Sequence, residues 1–148
     1  MPFDRPDLLR QADYRGGDVL PVQNVGRGTG SNNQSTTSTT FVATYSPHGD
    51  IDLSLPNPRL RFLAFLSNSN AGDTTIARPQ LQDSTQDNES LDELEVSNTG
   101  SGDLVDSDWQ QPASVTPDDI YRALNVQLRV DGGTGTIQEF SLLIGTQL

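Results

Sequence analysis

The sequence predicts an all-β protein, a jelly-roll-like β-sandwich with an extended N-terminal arm and one short helix. Three observations carry that prediction. The first is Arg59-Leu60-Arg61-Phe62-Leu63-Ala64-Phe65-Leu66-Ser67, the longest apolar run in a chain that is only 32% hydrophobic. Leu60, Phe62, Ala64 and Leu66 fall on one side at period two, and Leu63 and Phe65 fall on the other. A strand apolar on both faces belongs near the middle of a sheet. The second is a pair of alternating runs closing the chain, residues 124–130 and 136–144, around Gly132-Gly133-Thr134-Gly135. They read as a terminal hairpin. The third is the number of short alternating runs between turn signals, seven or eight strands in all, the pattern of a two-sheet sandwich.

Taken in order, residues 1–34 read as an arm and residues 35–148 as the β-sandwich domain. Pro2, Pro6 and Pro21 break the arm, and Gly16-Gly17 and Gly26-Arg27-Gly28-Thr29-Gly30 loosen it. Its apolar residues, Leu8, Leu9, Val19, Leu20, Val22 and Val25, are too sparse to form a core. Such a segment finds its burial on a neighbouring subunit or stays disordered. Residues 36–45 are rich in threonine and then alternate through Phe41, Ala43 and Tyr45, which predicts the first strand. Ser46-Pro47-His48-Gly49 is a turn, and Ile51, Leu53 and Leu55 form a short strand with one wet face. After the central strand, residues 74–81 read as a weaker strand whose Pro79 confines it to an edge or a bulge. Residues 82–90 are a polar loop. Leu91, Leu94 and Val96 fit a brief strand or one helical turn equally well. Leu104 and Val105 begin a short strand that reaches Trp109. Thr116-Pro117-Asp118-Asp119 is a helix start, with a capping threonine, a proline at the first position and two acids on the positive dipole end. It predicts a helix over residues 117–123.

Charge narrows the environment. Twenty acids, sixteen of them Asp, oppose nine bases, for a net charge of −11. All nine bases are arginine, and the chain has no lysine and no cysteine. Without cysteine there is neither a disulfide framework nor a thiolate metal site. No stretch approaches the ~20 apolar residues of a membrane span, and no signal-peptide pattern opens the chain. Phosphate neutralisation needs a basic patch, so no nucleic acid is expected as a partner. An acidic, lysine-free composition resembles that of proteins from extremely halophilic archaea and their viruses. In molar salt the Debye length is about 3 Å, which screens the mutual repulsion of carboxylates.

No residue is assigned a catalytic, cofactor-binding or metal role. His48 is the single histidine, and Ser46, Asp50 and Asp52 lie near it in sequence. A triad is recognised by spatial roles that adjacency does not supply, so His48 reads as a solvated turn residue. The two glycine-rich segments lack the lysine of a Walker loop and the strand-then-helix context of a dinucleotide fingerprint. Asp103, Asp106 and Asp108 are clustered oxygen donors of the type Ca²⁺ prefers, but without the EF-hand spacing. Asn33-Gln34-Ser35 and Asn88-Glu89-Ser90 match the glycosylation sequon in predicted loops. Trp109 with Tyr121 and Tyr45 offers an aromatic platform for a sugar, against a plain role for Trp109 as a plug at one end of the sandwich.

An arm, a compact β-domain and an acidic exterior together resemble decoration, turret and capsid-associated proteins of tailed viruses. The lysine-free composition makes the resemblance one to a haloarchaeal tailed virus. It implies a non-enzymatic virion protein, a homo-oligomer that docks through its N-terminal arm onto other capsid or tail proteins. The alternative is a receptor- or glycan-binding module of a tail fibre, with loops at residues 68–73 and 83–90 making the contacts.

Overall fold

The computed structural model describes residues 16–28, 34–45, 48–82, 88–113 and 120–148. Among these described residues, eleven strands make two antiparallel sheets. Sheet A runs β1 (Val19–Gly28), β11 (Gly135–Gln147), β5 (Pro58–Asn68) and β9 (Asp103–Asp106), with β2 (Gln34–Thr36) also paired to β11. Sheet B runs β3 (Val42–Tyr45), β10 (Ile120–Val130), β6 (Thr74–Gln82) and β7 (Asn88–Ser90); β4 (His48–Asp52) also pairs with β10, and β8 (Val96–Thr99) with β6. This is the jelly-roll-like sandwich read from the alternation.

The core lies between the sheets and follows the period-two rule. From sheet A come Leu60, Phe62, Ala64, Leu66, Ile137, Phe140, Leu142 and Ile144; from sheet B come Ala77, Leu81, Leu124, Val126 and Leu128. The Phe62 and Phe140 rings meet with centroids 6.3 Å apart. Ile51, Leu53, Leu91, Leu94 and Tyr121 complete the filling. Residues 92–94 form a single 3-10 turn, which buries Leu94 and resolves the ambiguity of Leu91, Leu94 and Val96 in favour of a turn flanked by short strands.

The closing pair of strands is not a hairpin. β10 belongs to sheet B and β11 to sheet A, so residues 131–134 arch across the sandwich. Both strands present an apolar face, and alternation alone does not tell a hydrogen-bonded neighbour from a partner facing it across the core. The β5–β6 connection is a second arch, and the two interlock at one end. Ser69 N–H donates to the Thr134 carbonyl at 2.9 Å, and Thr134 N–H donates to Ser69 Oγ at 2.9 Å. Asn68 Nδ2 donates to the Gly132 carbonyl at 3.0 Å and to Thr75 Oγ1 at 3.2 Å. Gly133 sits at φ +64°, where a Cβ would collide with Asn68 Oδ1.

Three further expectations change. Residues 36–45 are not one strand: β2 ends at Thr36 in sheet A and β3 starts at Val42 in sheet B. Ser38 N–H donates to Thr36 Oγ1 at 3.0 Å and Thr40 N–H to Ser38 Oγ at 3.2 Å. These short-range bonds take the backbone out of the ladder, as hydroxyl side chains do. Pro79 lies in β6 at the interior of sheet B, opposite Val126. It is tolerated because β8 pairs only Thr74–Ala77 and β7 only Gln80–Gln82, leaving a seam where no ladder N–H is required. The Pro79 carbonyl accepts there from Leu91 N–H at 3.0 Å. The helix expected over residues 117–123 is strand from Ile120 onward, because these residues pair with Asp52, Ile51 and His48. Its proposed start, residues 116–119, lies outside the described residues.

The expected arm also changes along part of its length. Val19–Gly28 is extended, and it is paired along β11 of its own chain from Val19 opposite Gln147 to Gly28 opposite Phe140. The backbone groups on that edge of β11 need partners, and β1 supplies them. It does so as an edge strand, with Val22 53% exposed and none of residues 19–24 in the core cluster. The β-structure therefore begins before residue 34. Residues 1–15 lie outside the described residues.

Candidate interaction face

Sheet A has an outer face more apolar than its position predicts. In β5 the inner residues are fully buried, while Arg59, Arg61, Leu63, Phe65 and Ser67 are half-buried and point away from the core. The two-faced apolar pattern of β5 placed it correctly inside a sheet, between β11 and β9. It also suggested burial on both sides, and the second side is only half covered. Cross-strand register sets Leu63 opposite Asp106 and Ser141, and Phe65 opposite Leu104 and Glu139. Leu143 stands opposite Arg61. Leu63, Leu104, Glu139, Phe140 and Ser141 line a shallow groove of about 190 Å³. Leu104 is 57% exposed, the most exposed of the large hydrophobic side chains described. The Phe65 ring lies against Gly102, where a Cβ would overlap it. Glycine is what lets β9 approach so closely.

Trp109 belongs to the same face. A Cβ on Gly145 would meet its ring at 3.1 Å, and the Arg61 guanidinium lies 5.9 Å from the ring centroid. It therefore covers the outside of sheet A and does not plug an end of the sandwich. Tyr121 is 2% exposed on the core side of sheet B, so the two do not form an aromatic platform. The Tyr45 side chain is outside what is described.

The three clustered aspartates do not converge. Asp106 faces Arg61, whose Nε donates to Asp106 Oδ1 at 2.9 Å and whose Nη2 donates to Asp106 Oδ2. Asp108 Oδ1 is 3.7 Å from the same Nη2, and Asp108 N–H donates to Asp106 Oδ1 at 2.8 Å. Asp103, three residues back, alternates to the other side of β9, and its Oδ1 accepts from Leu104 N–H at 2.8 Å. An arginine thus stands where the sequence suggested a cation. The two-pronged bond holds the Asp106 carboxyl below its ordinary pKa and raises that of Arg61. Among the described residues, no three His, Cys, Asp or Glu side chains group as metal ligands.

His48 opens strand β4, its backbone opposite Ala123, so it is not a turn residue; Ser46 and Pro47 lie outside the described residues. Asp52 accepts from Ser54 N–H at 2.8 Å and from Ser54 Oγ, which lowers its pKa. The loop at residues 68–73 is tied into the interlocked arches, and residues 83–87 of the second expected contact loop are outside the described residues. The sequon at Asn88 lies in strand β7 and not in a loop; Asn33 is outside the described residues.

Sheet B presents a different outer face. Arg78 Nε donates to Gln127 Oε1 at 2.8 Å, Gln80 Nε2 to Ser90 Oγ at 3.1 Å, and Asn125 Nδ2 to Gln80 Oε1 at 3.3 Å. Ser90 Oγ also donates to Gln127 Oε1 at 3.2 Å. Arg78 and Arg129 stack on Phe41, at 3.9 and 5.0 Å from the ring centroid.

No protein-family model and no curated protein matches the chain. Solved structures do share its fold. A structure of the infectious bursal disease virus Gt strain matches with a TM-score of 0.53 at 10% identity, over 84% of this chain and 32% of that one. The VP2 subviral particle of the same virus matches with a TM-score of 0.52 at 9% identity, over 88% of this chain and 32% of that one. A xylan-binding module, CBM15, matches with a TM-score of 0.42 at 13% identity, over 90% of this chain and 100% of that one. The chain thus spans about a third of the length of the viral chains it matches. What it has in common with those particle proteins is the β-sandwich.

Proposed function

We propose that this protein is a non-enzymatic structural component of a virus particle, a capsid decoration or turret subunit that self-associates. In this reading residues 1–15 are the docking arm and the sandwich is the displayed domain. The observation that carries it is the outer face of sheet A. A chain with a net charge of −11 and few apolar residues places Leu63, Phe65, Leu104, Leu143 and Trp109 on the outside of one sheet. Apolar side chains left partly uncovered on so acidic a chain support an interaction site there. The sandwich shared with virus particle structures adds to the reading. The lysine-free, acidic composition supports a haloarchaeal tailed virus as the setting, because molar salt would screen that charge. Light scattering on the full chain in molar KCl tests the proposal: a closed homo-oligomer is expected. A monomer across the whole accessible concentration range would refute it.

A second reading, the receptor- or glycan-binding module of a tail fibre, draws on the outer face of sheet B. The connected Gln80, Ser90, Asn125 and Gln127 side chains set amide and hydroxyl groups across three strands beside Phe41. That reading expects retention of the full chain on immobilised polysaccharides in molar KCl, lost on Gln127→Ala. Equal retention of the variant would remove it.

A further inference from the structure

We infer that the outer face of sheet A is the seat for residues 1–15 of a neighbouring copy of this chain. The inference rests on the assembling role proposed above, and it names the surface and its occupant. The seat is the groove between β9 and β11, floored by Leu63 and walled by Leu104, with the exposed Glu139 at its rim. Its volume of about 190 Å³ suits one or two branched side chains.

Charge selects the occupant. Residues 1–15 hold Arg5, Arg10 and Arg15 against Asp4, Asp7 and Asp13, and so carry no net side-chain charge. The remaining residues hold the other six arginines and seventeen acids, and carry the whole −11. Two sandwiches pressed face to face bring two such bodies together; the first fifteen residues bring none of that repulsion. They also carry apolar side chains of the right size, Phe3, Leu8 and Leu9. Arg10 follows the two leucines directly, in reach of Glu139 when they fill the groove.

Reach permits the exchange. Gly17 N–H donates to the Leu148 carbonyl at 2.6 Å, which fixes Gly17 at the end of β11, beside sheet A. Fifteen residues span up to about 50 Å. The distance along β11 from Leu148 back to Ser141 is about 24 Å. The segment is therefore long enough to leave its own sheet and lie on the next. If it covered its own groove instead, each copy would present a closed acidic exterior with nothing to associate through.

The chain has no cysteine, so introduced thiols report without interference. Leu8→Cys, Leu9→Cys and Leu104→Cys are made singly in the full chain. Leu8→Cys or Leu9→Cys is then mixed with Leu104→Cys in molar KCl and mildly oxidised, and the linked peptides are mapped. Disulfides joining residue 8 or 9 of one chain to residue 104 of another are expected. Ser97→Cys, exposed on β8 of the other sheet, should give no such link. A link formed only inside one chain of a Leu9→Cys/Leu104→Cys double variant assigns the groove to the chain's own segment and overturns the exchange. If the wild type oligomerises but residues 8 and 9 never link to 104, this seat is wrong while the assembling role stands. A wild type that never oligomerises takes both.

Discussion

Two neighbouring residues on β5 provide the sharpest test of the register. Phe62 is fully buried beside Phe140 on the inner face of the same sheet, while Leu63 is half-buried on the outer face. Truncating a buried phenylalanine to alanine costs about 3–5 kcal/mol, the transfer free energy plus a cavity term. Burying a whole leucine contributes about 1.5–3 kcal/mol, so a half-buried one contributes roughly 1 kcal/mol. A domain of this kind has a total stability of about 5–15 kcal/mol, so Phe62→Ala removes a large share and Leu63→Ala a small one. With a urea slope of roughly 2 kcal/mol per molar, the unfolding midpoint should fall by about 2 M for Phe62→Ala and by about 0.5 M for Leu63→Ala. Urea titrations of the two variants in molar KCl, followed by Trp109 fluorescence, measure this directly. Equal losses, or a larger loss at Leu63, would mean that β5 is drawn one residue out of register. A slip of one residue exchanges the two faces of a strand. Under the proposed arm exchange, the remaining effect of Leu63→Ala should appear in the oligomer dissociation constant and not in the folding midpoint.

Salt is the second lever: lowering ionic strength from 1 M to 0.1 M lengthens the Debye length from about 3 to 10 Å. Thermal scans should show Tm falling with it, by roughly 4–8 °C for each 2 kcal/mol lost, and an unchanged Tm would remove the halophilic reading. The Arg61–Asp106 pair sets an acid limb. Asp106 has a folded pKa below its unfolded value, so its contribution is complete above the ordinary carboxylate pKa and is lost as pH falls through the lowered one. Asp106→Asn should flatten the Tm-against-pH curve below about pH 4, and an unaltered slope would show the pair to be energetically silent. Gly133→Ala should cost about 1–2 kcal/mol, because the left-handed backbone penalises a Cβ and that Cβ runs into Asn68. A stability within experimental error of wild type would mean that the arches are not interlocked. Gly102→Val should displace the Phe65 ring at a cost of about 1–3 kcal/mol, read as a lower urea midpoint.

The proposed role and the fold place different demands on the same strand. The inner row of β5 is spent on the core, and its outer row combines Arg59 and Arg61 with Leu63 and Phe65. Arg61 is engaged by Asp106 and lies near Trp109, so one end of the outer face is held by the chain itself. The Leu63–Leu104 end is open. Under the proposed role, that asymmetry would give a partner one definite place to sit and leave the acidic remainder of the surface in solvent.

Alternation alone determined the all-β class, the positions of β5, β11 and β10 from Leu124 onward, and the inward rows Leu124, Val126, Leu128, Val130 and Leu60, Phe62, Ala64, Leu66. Composition determined the acidic exterior and the absence of thiol chemistry. Tertiary structure decided who pairs with whom. A period of two says which side of a strand is apolar and nothing about which strand lies beside it, so β10 and β11 look like a hairpin and fold as an arch. The break at Ser38 and Thr40 and the tolerance of Pro79 depend on side-chain bonds and a seam between two distant strands. Asp103, Asp106 and Asp108 look like a cation cluster because the arginine that engages Asp106 lies forty-five residues away in sequence. The candidate face was half legible: Leu63 and Phe65 announced a second apolar side to β5. Leu104, Leu143 and Trp109 joined them only through register across strands, a long-range property that local spacing does not contain.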